Sequence, residues 1–219
     1  MKVIIFGATG MVGQGALREC LLDSDVTAVL SIGRRALGQT HPKLRELLRP
    51  DLFDLEAAAQ GVRGFDACLF CLGVSSAGMA EPDYRRVTFD LTLAAAGVLL
   101  AGNPGMTFIY VSGAGTDSTA RGRFMWARVK GETENALLRL PFKAAVMFRP
   151  AAILPLHGVT SSKPLYRLAF LLTRPLWPVL RARCPRFVTT TEQLGRAMLR
   201  VAKSGSPKPI LESIDINAL

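Results

Sequence analysis

The chain alternates short, wholly apolar runs with longer segments in which apolar residues recur every three or four positions. The runs near residues 2–6, 27–32, 46–50, 66–72, 107–112 and 144–148 predict β-strands, and the patterns near 11–22, 54–60, 83–101 and 123–139 predict helices. Strands that are apolar throughout, rather than at every second residue, belong to a sheet covered on both faces. The strand–helix alternation makes that sheet parallel. The expected fold class is therefore α/β, a doubly wound parallel sheet with ligands at the carboxyl ends of its strands. Past Pro150 the pattern changes to proline-punctuated helices, ending in a helix near 192–203 with Thr189 and Glu192 placed as a capping box. One domain over 1–219 is expected, with its core in 1–150 and a smaller substrate-side part in 151–219.

The strongest chemical signal is GATGMVG at residues 7–13, which joins the apolar run Val3-Ile4-Ile5-Phe6 to a helical pattern. Gly7 suits a tight strand-to-helix turn, Gly10 has no Cβ to block a pyrophosphate, and Gly13 lets helix and strand pack closely. The N–H groups at Met11 and Val12 then face an anion with the positive end of the helix dipole. A merely structural glycine turn is the competing reading. The preceding strand and following helix favour dinucleotide binding.

Cofactor choice is readable at the end of the second strand, Ser31-Ile32-Gly33-Arg34-Arg35. An enzyme preferring NAD places an acidic residue there for the ribose hydroxyls. Arg34 and Arg35 instead offer planar forks of donors that suit a 2′-phosphate, so NADP is favoured over NAD. A solvated arginine pair closing a turn is the plainer alternative. Asp51 and Leu52, after the third strand, offer a carboxylate and an apolar wall to an adenine, and Asp54 suits a helix N-cap.

These residues, with Val111-Ser112, Lys130-Gly131 and Arg149-Pro150, resemble the atypical short-chain dehydrogenase/reductases. The similarity is greatest to the NAD(P)H-binding branch related to nucleoside-diphosphate-sugar epimerases and Tat-interacting oxidoreductase-like proteins. It covers about residues 1–150 and implies a Rossmann fold. It also implies NADP(H) bound with Gly7, Thr9, Gly10, Met11, Val12 and Gly13 at the pyrophosphate and Arg34, supported by Arg35, at the adenosine phosphate. Asp51 and Leu52 would lie by the adenine, Cys71, Leu72 and Gly73 beneath the ribose, and Pro150 with Lys130 at the nicotinamide end.

The same resemblance implies a catalytic serine, Ser112, and a Tyr-x-x-x-Lys turn whose lysine is Lys130. Trp126 occupies the tyrosine position. An indole has one N–H donor and no proton that leaves near neutral pH, so it orients a carbonyl without shuttling a proton. Tyr110, two residues before Ser112 and expected on the same face, is the candidate substitute, with Tyr84 and His157 behind it. Ser75 and Ser76 either bind substrate or make a turn. Two functions stay open: an oxidoreductase or epimerase-like enzyme acting on a small carbonyl or hydroxyl compound, and a catalytically silent NADP(H) sensor that regulates a partner.

Composition narrows the setting. No apolar segment reaches the ~18 residues of a membrane span, and Val3 to Phe6 is too short for a signal-peptide core, which predicts a cytoplasmic protein without stable membrane insertion. Cys68 and Cys71 form C-x-x-C, yet they lie inside an apolar run and no second ligand pair exists among the four cysteines, so a buried strand and no metal are expected. Net charge is +10, with 17 basic and 14 acidic residues in 1–150 against 10 and 3 in 151–219. The basic residues Lys163, Arg167, Arg174, Arg181, Arg183 and Arg186 alternate with apolar ones. They read as a substrate wall, a partner or membrane surface, or a solvated rim. Nucleic-acid motifs are absent, so the expected partners are a small-molecule substrate, with a protein partner or homodimer left open.

Overall fold

The computed structural model describes residues 1–159, 177 and 183–219. Seven parallel strands form the central sheet: β1 (Lys2–Phe6), β2 (Ala28–Gly33), β3 (Leu44–Leu48), β4 (Ala67–Phe70), β5 (Thr107–Val111), β6 (Ala144–Arg149) and a short β9 (Ile210–Glu212). Between β6 and β9 in the chain, β7 (Ala152–Leu154) and β8 (Val188–Thr190) pair in a separate two-stranded sheet. The central order is β3-β2-β1-β4-β5-β6-β9, which puts the reversal of strand order between β1 and β4. Ligands of doubly wound sheets sit at such a switch point, beyond the carboxyl ends of the strands.

The inner strands β1, β2, β4 and β5 are buried on both faces, which explains their nearly continuous apolar sequences, whereas the edge strand β3 is largely exposed. On one face Phe6, Phe70, Phe108 and Phe142 stack in series with ring centroids 5.0, 5.8 and 5.1 Å apart. They pack there with Ala95, Ala96 and Leu99 of α3 (Leu91–Gly102) and Leu137 of α4 (Met125–Leu138). On the other face Val3, Ile5, Val29, Ile109 and Val146 meet Ala16 and Leu17 of α1 (Met11–Leu22). Leu194, Ala197, Met198 and Val201 of α5 (Thr191–Ser204) complete that layer. Each fully buried aliphatic or aromatic side chain contributes about 1.5–3 kcal/mol. Residues 191–219 thus belong to the same packed unit as β1 and α1, with β9 as the edge strand and α6 (Ser213–Ala218) behind it.

Several local expectations change. Helix 83–101 is in fact α2 (Glu81–Arg85), a π-helical turn (Arg86–Asp90) and α3 in succession. The segment near 54–60 is a 3₁₀ helix, Glu56–Val62, preceded by Leu55, so Asp54 is not its cap. Thr190, not Thr189, caps α5: its hydroxyl accepts from Gln193 N at 3.0 Å. Glu192, freed from a capping box, pairs with Arg196 at 2.6 Å. Of the basic segment, Lys163, Arg167, Arg174 and Arg181 lie outside the described residues, whereas Arg183 and Arg186 are exposed.

Candidate functional site

The turn between β1 and α1 is built by sterics. Gly7 has φ +78°, and a Cβ there would stand 2.9 Å from the Cys71 and Leu72 backbone. A Cβ on Gly13 would stand 2.1 Å from Gly7 O, so the helix starts this close to the strand only with glycine. Gly10 differs: it is exposed, and its Cβ would meet only Gly7 O, at 3.3 Å. No side chain caps α1 and no acidic residue occupies its first turn, which leaves first-turn N–H groups for an anion.

Gly10, Met11 and Val12 line one side of a cleft of about 340 Å³. Its other walls are Cys71, Leu72 and Gly73 after β4, Val111, Ser112 and Gly113 at the end of β5, Lys130 of α4, and Pro150, Ala151 and Ile153 beyond β6. The sequence-predicted residues Gly10, Met11, Val12, Cys71, Leu72, Gly73, Ser112, Lys130 and Pro150 therefore meet in one place. Gly7 and Gly13 shape the turn beneath it. Thr9 faces another hollow, of about 620 Å³, outside α1 with Arg18, His41 and His157. His157 pairs there with Glu192 at 2.7 Å and does not line the cleft. Ser75 Oγ accepts from Ala77 N at 3.4 Å, the turn-making role, and neither Ser75 nor Ser76 lines the cleft.

Arg34 and Arg35 are exposed beyond β2 and Asp51 is exposed beyond β3, while Leu52 is buried in the core. Asp51 accepts from Phe53 N at 2.9 Å. A carboxylate stands beside the arginine turn: Glu46 accepts from Leu37 N at 2.8 Å and closes the loop. Its place on β3, paired with Ser31, is a cross-strand relationship that the second strand alone does not reveal.

At the other end Lys130 Nζ donates to Ser112 O. Burial pushes its pKa down, against the opposing pull of the nearby Glu134 carboxylate. Ser112 Oγ donates to Glu134 Oε1 at 2.5 Å, with Phe148 O also within reach at 3.2 Å. Glu134 is fully buried and takes Arg149 Nε at 3.0 Å and Nη2 at 2.5 Å. Burial disfavours the Arg149 charge, but Glu134 and Glu212 outweigh it and hold its pKa up. Glu134 was missed in sequence, although its place four residues after Lys130 puts it on the same helix face.

Tyr110 is corrected as a catalytic candidate. It is buried in the core, with Phe70 at 6.0 Å, and does not line the cleft. Burial, then Tyr84 and Glu134, pushes its pKa far above the ordinary phenol value, so it does not exchange protons near neutrality. Tyr84 is buried as well, and burial raises its pKa. Trp126 is half-buried one turn before Lys130, and its ring lies beside Gly115 in the loop after β5. Cys68 and Cys71 are free thiols made less acidic by burial, Cys71 to about 12, which leaves little reactive thiolate.

No protein-family model matches the chain. It is 28% identical over 156 residues to "Protein FMP52, mitochondrial" of Chaetomium globosum, covering 69% of this chain and 65% of that protein. It is 30% identical over 155 residues to "Protein HTATIP2" of Rattus norvegicus, covering 70% and 63%. The matches thus span just under two thirds of these two relatives' lengths. Among solved structures, the Bordetella bronchiseptica enzyme WbmF in complex with NAD+ superposes with TM-score 0.67 at 12% identity, over 99% of this chain and 76% of that one. The cytoplasmic expectation is contradicted by the FMP52 relatives, which are themselves named mitochondrial. No helix of the described residues is long and apolar enough to cross a membrane. The sheet order and these similarities give the chain a Rossmann fold like that of the short-chain dehydrogenase/reductases and epimerases, with sequence similarity to FMP52 and HTATIP2.

Proposed function

We propose that the chain binds NADP(H) along the strand ends and acts as an oxidoreductase or epimerase-like protein on a small carbonyl or hydroxyl compound. The observation that carries this reading is the convergence of four strand-end segments on one cleft, with Gly10, Lys130 and Ser112 in its walls. The fit has two physical supports. Gly10 is exposed and presents no side chain to the cleft that it borders, and the first turn of α1 has no side-chain cap.

When bound, the dinucleotide supplies or takes up a hydride. The chain's own residues do the rest. The α1 N-terminus holds the pyrophosphate and Arg34 and Arg35 favour a 2′-phosphate. Cys71 to Gly73 form the floor, and Lys130 with Pro150 borders the nicotinamide end. Lys130 fixes the Ser112 backbone through the carbonyl, and Glu134 fixes the Ser112 hydroxyl. Because that hydroxyl donates to Glu134, its free lone pair suits a substrate hydroxyl donor.

A second reading, a silent NADP(H)-binding sensor acting on a protein partner, draws on Trp126. Among the described residues no tyrosine lines the cleft. Hydrogen exchange with and without NADPH tests the shared core of both readings. Slower exchange at Thr9–Gly13 and Leu72–Gly73 is expected, and unchanged exchange there at saturating NADPH would refute the site.

A further inference from the structure

Arg49 follows β3 directly, and its backbone N–H donates to Gly33 O at 2.9 Å, so it lies against the start of the Arg34-Arg35 turn. Its Nε is buried without a hydrogen-bond partner, a condition shared among the described residues only with the Thr189 hydroxyl. A guanidinium N–H is a strong donor, and taking it from water unpaired is unfavourable. Other arginines of this chain hold carboxylates: Arg128 with Glu81 at 2.7 Å, Arg149 with Glu134 at 2.5 Å and Arg196 with Glu192 at 2.6 Å. Arg49 has no such partner among the described residues, nor do Arg34 and Arg35. The two carboxylates nearby in the fold, Glu46 and Asp51, accept from the Leu37 and Phe53 backbones.

We propose that Arg49 is a specificity-determining residue of the cofactor site, its guanidinium binding the 2′-phosphate of the adenosine ribose together with Arg34. This rests on the reading of the cleft as a dinucleotide site. The cations then come from two adjacent strand ends, β2 and β3, and converge on one phosphate. A planar fork matches phosphate oxygens in two-point fashion, whereas the neutral 2′-hydroxyl of NADH gains little from it.

Calorimetric titration of wild type, Arg49→Ala and Arg49→Lys with NADPH, NADH and adenosine 2′,5′-bisphosphate tests this. Arg49→Ala is expected to weaken NADPH and the bisphosphate about tenfold or more and NADH less than about twofold, with Arg49→Lys intermediate. If Arg49→Ala does not fold, Arg49→Lys carries the same comparison. Unchanged NADPH affinity in variants of a wild type that prefers NADPH overturns the role of Arg49 alone. Equal losses for NADPH and NADH overturn it in favour of a structural role. A wild type that binds neither dinucleotide overturns the cofactor reading, and this proposal with it.

Discussion

Ser112 Oγ and Glu134 Oε1 lie 2.5 Å apart, with Glu134 wholly enclosed and Ser112 buried at the wall of the cleft. The same carboxylate holds Arg149, which reaches Ser118 Oγ at 2.6 Å and Glu212 at 3.4 Å. The ends of β5 and β6 are thereby tied to α4 behind the cleft. Breaking a buried pair from one side strands the remaining charge. Glu134→Ala is expected to lose about 3–5 kcal/mol in urea unfolding, and Glu134→Gln less because it keeps an acceptor for Ser112. A loss below about 1 kcal/mol for Glu134→Ala would place the pair among weak surface contacts.

Gly13→Ala and Gly10→Ala should separate stability from binding. The added Cβ at Gly13 meets backbone at 2.1 Å, so a stability loss of about 1–3 kcal/mol or more is expected. At Gly10 the nearest atom is at 3.3 Å, and the methyl group instead borders the cleft. Gly10→Ala should fold with nearly wild-type stability and bind NADPH more weakly. Equal thermal shifts in the two variants would contradict this division.

Lys203 Nζ joins α5 to the loop after α1 through Asp23 at 2.7 Å and Asp25 at 2.6 Å. For Asp23, burial acts upward, but the Lys203 hydrogen bond and backbone donors outweigh it and lower the pKa below 3.8. Hydrogen bonds to Asp23 and Asp25 raise Lys203 above 10.5. The carboxylate's contribution is thus full above 3.8 and lost as pH falls through its depressed folded value. The ammonium's contribution is full below 10.5 and lost as pH rises through its raised folded value. Lys203→Met is expected to cost about 1 kcal/mol or less at neutral pH. Thermal unfolding should show that difference vanish near about pH 2. A difference that persists in acid would mean that packing, not charge, accounts for it.

Trp126→Tyr places a phenol one turn before Lys130, where the indole now stands. General acid–base catalysis contributes about 10²–10⁴-fold, so carbonyl reduction monitored by NADPH oxidation should rise at least about tenfold. Tyr110→Phe should leave any wild-type turnover unchanged, because its hydroxyl is in the core. Turnover abolished by Tyr110→Phe would contradict the buried placement.

The inner strands were legible because burial on both faces writes itself as apolar runs, so β1 spans Lys2–Phe6 as the pattern implied; β3, an exposed edge strand containing Arg45 and Glu46, carries a weaker signal and is displaced by two residues, at Leu44–Leu48. Three-residue strands such as Ile210–Glu212 are too short for any period to register. The glycine turn was legible through its order, strand, glycines, helix. Tyr110 misled because strand alternation gives the face of the sheet and not the depth: Tyr110 and Ser112 both face α4, but Tyr110 is buried in the core beneath that helix and only Ser112 reaches the cleft. The Glu134–Arg149 pair and the unpartnered Arg49 join residues from different elements, and no local pattern encodes such meetings.

The measurement closest to the central claim is calorimetric titration of the wild-type chain with NADPH, run beside NADH. Saturable binding at one site per chain, tighter for NADPH, is the result expected from the Gly10 turn and the arginines beyond β2. A folded protein that binds neither at millimolar concentration would contradict it, and would make the glycine turn a structural feature alone.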